Sequence, residues 1–464
     1  MAVDGELRTE VLVVGGGIAG AVAALAARRR GAEVTLVRRS FGATALTSGA
    51  LDVAPDPLAT PRRPRGQELS VEACVHHLVA ARPDHPYAVL YDELGRFPEA
   101  LAFAEETIEG LRFVSPIEPN RCLATPLGTL KFSAGALHSV IDGDLSRVEP
   151  RIGVVGFENH LEYDAELWAR LLTDACATAG LVRTFVPVPC DFLARRNDVL
   201  LQPFEIAARI DEDPATFVGS VKRALSHGVQ RLLLPPVLSR GDPGFVLGQL
   251  EEALYLPASE SVATRQSVLG PRLQRYLDEA LEREGVAVVQ GEIRAATDLD
   301  LDSLEFRSAR PRPPSTRRFF PDGVERDAED PGTPVRAEAV VLATGKFIAG
   351  GVAKNGCLYE PTLRLPVSVA GPSCASSFRL TSNEISDEQT FYRAGVRVDG
   401  GLRPLDEGDR VVDERLFACG DVLAGHDPAR DSTAMGVAVF TGYLAGRRAA
   451  LAAAQRTSFA REGG

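Results

Sequence analysis

The sequence predicts an α/β fold: a domain built on a buried parallel sheet, with a second α/β lobe inserted into it. Three observations carry this. "EVLVV" at 10–14 is a continuous apolar run, the pattern of a parallel strand buried on both faces. A glycine-rich turn, the alanine-rich helix "AGAVAALAARRR" and a second strand "EVTLV" follow, giving a βαβ unit of the usual length of about 30 residues. Strand-like runs then reappear far downstream, at "AVVLATG" and "LFACGD", after a long middle stretch of different rhythm.

Residues 40–53, "SFGATALTSGALDV", are small, hydroxylated and glycine-bearing, which suits a loop passing close to a ligand. "ATPRRPRG" at 59–66 reads as an exposed linker. From about 75 to 255, helical segments such as "AELWARLLTDACATAG" alternate with short strands such as "RIGVVGF", "LVRTFVPV" and "RLLLPPV", the pattern of a separate lobe. An amphipathic helix is expected over 267–283 and a strand at "GVAVVQG". Residues 308–336 are dense in proline and charge and read as an exposed extension. A helix from about Thr433 to Ala453 comes last. The expected division is a sheet domain from 1–74 and 261–464, with the lobe at 75–260. For 464 residues, a prior of ~150 residues per domain allows two or three units.

The net charge of -12 argues against a nucleic-acid partner, which would need a basic patch. It argues equally against attachment to anionic lipid by the chain's own charge. No stretch reaches the ~18 consecutive apolar residues of a spanning helix. The first ten residues, "MAVDGELRTE", are acidic and unlike a signal peptide. Cytoplasmic placement is expected, with the membrane reached only through a partner. The seven cysteines, Cys74, Cys122, Cys176, Cys190, Cys357, Cys374 and Cys419, are dispersed, with no two three apart. Iron–sulfur and structural zinc sites need clustered thiolates, so no metal is expected, and the set reads as free thiols in a reducing compartment. Electron handling would therefore need an organic cofactor.

Gly15, Gly17 and Gly20 fit G-x-G-x-x-G between a buried strand and a helix, the Rossmann-like arrangement. The first glycine permits the tight turn and the second lets the backbone approach a phosphate. The third packs helix on strand, and the helix N-terminus then faces the anion. Far downstream, one strand ends at Thr344-Gly345 and another at Gly420-Asp421. In flavoproteins of the two-dinucleotide type, strands ending in A-T-G and in G-D flank one flavin. A short acid at a strand end can accept hydrogen bonds from ribityl hydroxyls. The following helix, capped by Ser432 or Thr433, would point its positive end at the flavin pyrimidine edge.

One position departs from this pattern. Where such a turn expects a carboxylate for an adenosine ribose, after "VTLV", the chain has Arg38 and Arg39, and Glu33 comes too early to replace it. Four readings are open: the 2′-phosphate of NADP, FAD held at its ribose by other groups, FMN with no such ribose, or two solvated arginines.

These stretches together resemble the B subunit of anaerobic glycerol-3-phosphate dehydrogenase. The matching segments are "VLVVGGGIAG", "TSGALDV", "HPYAVL" at 85–90, "TPLGTL" at 125–130, "VVLATGKFIAGGV" at 340–352 and "LFACGDVLAGHDP" at 416–428. The resemblance implies a flavin subunit, FMN as first choice and FAD as the alternative. It also implies pairing with a flavin-bearing A subunit and an iron–sulfur C subunit that passes electrons to quinone. The reaction implied is oxidation of sn-glycerol 3-phosphate to dihydroxyacetone phosphate. The alternatives are a freestanding FAD-dependent dehydrogenase or reductase of the fumarate-reductase kind, and a non-catalytic flavin-fold assembly subunit.

Oxidising a secondary alcohol needs a base, and histidine suits working pH. His426, just past "CGD", is the candidate, with His85 and His138 as alternatives. A phosphate substrate wants cations, for which Arg265, Arg364, Lys346 and Lys354 are candidates. Thr47, Ser48 and Gly49 could offer donors to flavin N5. No pairing of base and phosphate clamp stands out, which agrees with a relay subunit whose substrate chemistry lies in the A subunit.

Overall fold

The computed structural model describes residues 5–57, 68–194, 198–264, 267–308, 332–369, 373–384, 387–428 and 430–462. Strand β1 (Leu7–Val14) is central in the first sheet. It pairs in parallel with β2 (Val34–Arg38) on one side and with Thr333–Leu342 on the other. Ala287–Ala295 extends the sheet beyond β2, and Leu416–Ala418 beyond Thr333–Leu342, both in parallel. The β1 residues Val11, Leu12 and Val13 are wholly buried, as their unbroken apolar run requires. Leu304–Ser308 is added antiparallel, against the far half of Ala287–Ala295 and the start of Thr333–Leu342.

Helix α1 (Ile18–Arg28) packs on the C-terminal helix Ala434–Glu462 with their backbones nearly in contact. A Cβ at Gly442 would sit 2.6 Å from the Ala19 oxygen, and one at Gly446 2.1 Å from the Ala23 oxygen. Two glycines four apart on one helix face therefore set how closely the two helices approach.

The second sheet is also parallel, in the order Ala258–Glu260, Arg231–Leu234, Arg151–Phe157, Thr184–Cys190. Thr184–Cys190 carries Pro187 and Pro189, which donate no ladder hydrogen bond and are tolerated because this strand is an edge. The two sheets are tied by a buried ion pair. Arg272, on helix Leu269–Arg283, donates to both Glu260 oxygens at 2.5 and 3.1 Å and to the Ser239 carbonyl at 2.6 Å.

Several expectations are corrected here. A boundary at 75 would cut helix Val71–Ala81, whose residues Val71, Cys74 and Val75 pack into the main core together with Tyr87 and Phe97. Two separate apolar clusters draw instead on residues between Cys122 and Ala258. The last helix runs to Glu462, beyond Ala453. Both ends of the 308–336 extension are strand, with Phe306 opposite Thr333. Residues 309–331, and the linker at 59–66, lie outside the described residues. The cysteines are not all free: Cys357 and Cys374 form a disulfide, brought together where Leu358 N donates to Ser373 O. Among the described residues, no helix is long and apolar enough to cross a membrane.

Candidate flavin site

The glycine turn is built to exclude side chains. Gly15 has φ +125, and a Cβ there would lie 2.2 Å from the Ala343 carbonyl oxygen. One at Gly20 would lie 2.0 Å from the Gly15 oxygen. β1, α1 and the end of Thr333–Leu342 thus meet with room only for hydrogen. Gly17 caps α1 without a side chain, and Thr44 Oγ1 reaches across to accept from Ile18 N at 3.0 Å.

From this turn opens a cavity of about 660 Å³. Its wall includes Gly15–Gly17, Thr47, Ser48, Thr344, Gly345, Lys346, Asp421 and the first turn of Ala434–Glu462 at Ala434 and Met435. Two segments some 400 residues apart in sequence therefore share one chamber. The donor set fits a flavin nucleotide. A helix N-terminus and glycine backbone face the position of a phosphate, an acid stands at a strand end, and Thr344 Oγ1 is buried with no partner among the described residues. Gly49 and Gly420 stand behind the wall, both with positive φ, and redirect the chain. Thr433 accepts the first helical bond through its carbonyl, but its hydroxyl lies 3.4 Å from His85 Nε2, and neither it nor Ser432 lines the cavity.

Arg38 and Arg39 both line the cavity, but the Arg38 guanidinium is already paired with Asp278 at 2.5 and 3.2 Å, and its stem fills the space above Gly16. Arg39 is more exposed and lies 3.9 Å from Glu292. Beyond these arginines the cavity continues to Gly291, Glu292 and Ile293. The absence of an acid on β2 therefore does not mean that the chamber ends there.

At the Asp421 end, charges are buried together. Lys346 Nζ donates to the carbonyls of Tyr392 and His426 at 2.8 and 2.6 Å. Burial pulls its ammonium down to about 8 despite Asp421, Asp427 and Asp431. Burial raises the Asp421 carboxyl, and Lys346 opposes the rise. His426 is wholly buried, its Nε2 3.8 Å from Asp421 Oδ1, and burial pushes it well below its usual range. It stands behind Asp421 and off the cavity wall, so it offers no direct base to a molecule in the chamber. His85 accepts from Tyr87 N at 3.2 Å and is held down to about 3 by burial and then by Arg82. His138 is also lowered by burial and is off the wall, beside Tyr276.

The buried histidines, His85 and His426 among them, imply an acid-sensitive fold. Folded His85 stays neutral while the unfolded chain takes up a proton near 6.5, so its contribution is complete above pH 6.5 and declines as pH falls towards 3. Each such histidine costs up to about 1.4 kcal/mol per pH unit in that window. Urea unfolding from pH 7.5 to 4.5 should show this slope, and it should be shallower in His85→Gln. Equal slopes would contradict it.

Of the phosphate candidates among the described residues, Lys346 alone is placed on the wall, with two of its donors already committed. Arg364 is half exposed over the Tyr359 ring, and Lys354 donates to Gly356 and Ala375 carbonyls, both away from the chamber. Arg265 lies outside the described residues. The reading of 40–53 as a ligand-side loop covers two further wall residues that it does not single out, Thr44 and Asp52, the latter paired with Lys131 at 2.7 Å.

Comparison with known proteins bears on the kind of cofactor. The model of a family described as "FAD binding domain" matches residues 10–212. The chain is 26% identical over 454 residues to the B subunit of anaerobic glycerol-3-phosphate dehydrogenase from Vibrio vulnificus, covering 96% of each chain. It is 27% identical over 458 residues to the probable B subunit of the same enzyme from Halobacterium salinarum, covering 96% of this chain and 98% of that one. Among solved structures, a 3-ketosteroid-delta4-(5alpha)-dehydrogenase from Rhodococcus jostii aligns over 97% of this chain and 98% of its own, at 13% identity and a TM-score of 0.40, too low to carry an inference. The matched family model is that of an FAD binding domain and supports FAD; FMN as first choice is not supported. The physical reason lies at Arg38, whose presence reflects its pairing with Asp278 and says nothing about the length of the ligand.

Proposed function

We propose that this chain, similar along nearly its whole length to the B subunits of anaerobic glycerol-3-phosphate dehydrogenase, is the FAD-bearing B subunit of such an enzyme. In this reading it works with an A subunit in oxidising sn-glycerol 3-phosphate to dihydroxyacetone phosphate. An iron–sulfur C subunit takes the electrons on to quinone and provides the link to the cytoplasmic face of the membrane. The observation that carries the reading is the single cavity shared by Gly15–Gly17 and Asp421.

Bound there, the flavin supplies the capacity to accept and release electrons. The chain's own residues hold and shield it. The α1 N-terminus would face the pyrophosphate and Asp421 the ribityl hydroxyls, while the first turn of Ala434–Glu462 would stabilise negative charge at the pyrimidine edge. A relay role is favoured over substrate chemistry in this subunit. At the Asp421 end of the wall, the one cation among the described residues is Lys346, already bound to two carbonyls, and the nearest histidine stands behind the acid.

Anaerobic addition of glycerol 3-phosphate to the FAD-loaded chain should leave its absorbance near 450 nm unchanged, about the usual flavin maximum. Adding the A subunit should bleach it. Prompt bleaching of the chain alone would overturn the relay and favour a freestanding dehydrogenase. No bleaching with both subunits would overturn the assignment.

A further inference from the structure

We propose that the Cys357–Cys374 bridge is a thiol–disulfide exchange site, and that its opening by a small thiol loosens the chamber's hold on its flavin. This inference rests on the reading of the chamber as a flavin site and is the same whichever flavin nucleotide fills it.

The bridge differs in kind from the other cysteines. Cys74, Cys122, Cys176, Cys190 and Cys419 are free and buried, whereas Cys374 is exposed and Cys357 half-buried. An exposed disulfide is open to attack by a thiolate, and bridges of that kind are the labile ones. On the cytoplasmic face, where the proposed function puts the chain, small thiols supply the attacking group.

A short run of contacts leads from the bridge to the chamber. Cys357–Tyr359 pairs antiparallel with Ala353–Asn355, so Cys357 opens the second strand of a hairpin. Residues 373–375 lie against it: Leu358 N donates to Ser373 O at 3.1 Å, and the exposed Lys354 donates through Nζ to Ala375 O at 2.8 Å. Ala375, Phe347 and Phe391 pack in turn on a cluster of five buried side chains, with Leu358 among them. Phe347 and Phe391 stack with ring centroids 3.8 Å apart, and Phe347 and Tyr392 both stand on the cavity wall. So small an apolar cluster holds its shape weakly by burial alone, as small cores do. A covalent link between residues 17 apart in sequence then carries a large share of the restraint on this side of the wall.

The exchange balances without a further reactant. A small-molecule thiolate attacks Cys374 Sγ, the exposed sulfur, and the S–S bond breaks with Cys357 leaving as a thiolate. A second thiolate attacks the mixed disulfide and displaces Cys374, leaving a small-molecule disulfide. Two electrons pass to the protein sulfurs, and the two protons shed by the thiols end on the two cysteines. With the link open, residues 373–375 keep only non-covalent ties to the hairpin, and the Phe347–Phe391 stack loses part of its support. A bridge that served local stability alone would alter unfolding and leave flavin affinity untouched.

The test uses the full-length chain, oxidised and after treatment with glutathione without denaturant, the excess thiol being removed before measurement. A chromogenic thiol reagent should find no reactive thiol in the oxidised chain and two after reduction, because the five free cysteines are buried. Titration with FAD and, separately, with FMN is read by quenching of flavin fluorescence. Reduction should weaken the better-bound flavin by about 10- to 100-fold, within what loss of a cross-link over such a loop supplies, and reoxidation should restore it. Cys374→Ser, its fold checked by thermal unfolding, should bind like the reduced chain and not respond to glutathione. If oxidised and reduced wild type hold flavin equally, or glutathione releases no thiol, the inference is overturned and the flavin reading stands. If oxidised wild type binds neither flavin, the flavin reading itself fails, and this inference with it.

Discussion

Gly15→Ala should give a chain that retains no flavin and unfolds at a markedly lower temperature than wild type. The added methyl would sit 2.2 Å from the Ala343 oxygen and 2.6 Å from its carbonyl carbon, both backbone atoms. That backbone cannot give way cheaply, because Ala343 N donates to Val14 O at 2.8 Å and Val14 pairs with Leu342 in the parallel ladder. The φ of +125 adds strain of about 1–3 kcal/mol for any side chain, and overpacking adds about 1–3 kcal/mol more. The total is a large fraction of the ~5–15 kcal/mol that holds a typical domain together. Gly248→Ala is the control. It lies within helix Pro243–Leu254 with nothing within 4 Å of the new methyl, and should stabilise by up to about 1 kcal/mol. Equal behaviour of the two variants in thermal unfolding would show that the turn is not constrained as described.

Asp421→Ala should keep the fold but lose flavin. The carboxylate stands on the cavity wall at the end of Leu416–Ala418, and burial already raises its pKa, so it gains from donors that only a ligand can bring. Loss of hydrogen bonds to a charged acceptor costs about 1.5–3 kcal/mol, or roughly 10- to 100-fold in flavin affinity. The variant also removes one of the anions that support the Lys346 ammonium, so that group should titrate still lower. Flavin titration of the apo-variant checks the first effect. An unchanged dissociation constant would remove Asp421 from the site.

How much was legible in the sequence depended on how local each signal is. The first strand, turn and helix could be read because burial on both faces imposes an apolar run and the turn imposes glycine. The late "ATG" and "CGD" could be read because each is short and ends a strand. Arg38 could not be read, since its partner Asp278 is 240 residues away and only the folded chain shows the charge already neutralised. The same holds for the pairing of Asp52 with Lys131. His426 was placed near the flavin by its position after "CGD", but the loop turns its ring inward behind Asp421. The boundary at 75 failed because a change of rhythm marks new secondary structure, whereas the packing of Val71, Cys74 and Phe97 decides which core owns it.

The central claim is that the early glycine turn and the late acid grip one adenine-bearing flavin. Its most direct test is to denature the purified full-length chain and to separate and quantify the released chromophore by chromatography. The account predicts one FAD per chain. Stoichiometric FMN, or a colourless chain that added FAD cannot reconstitute, would contradict it.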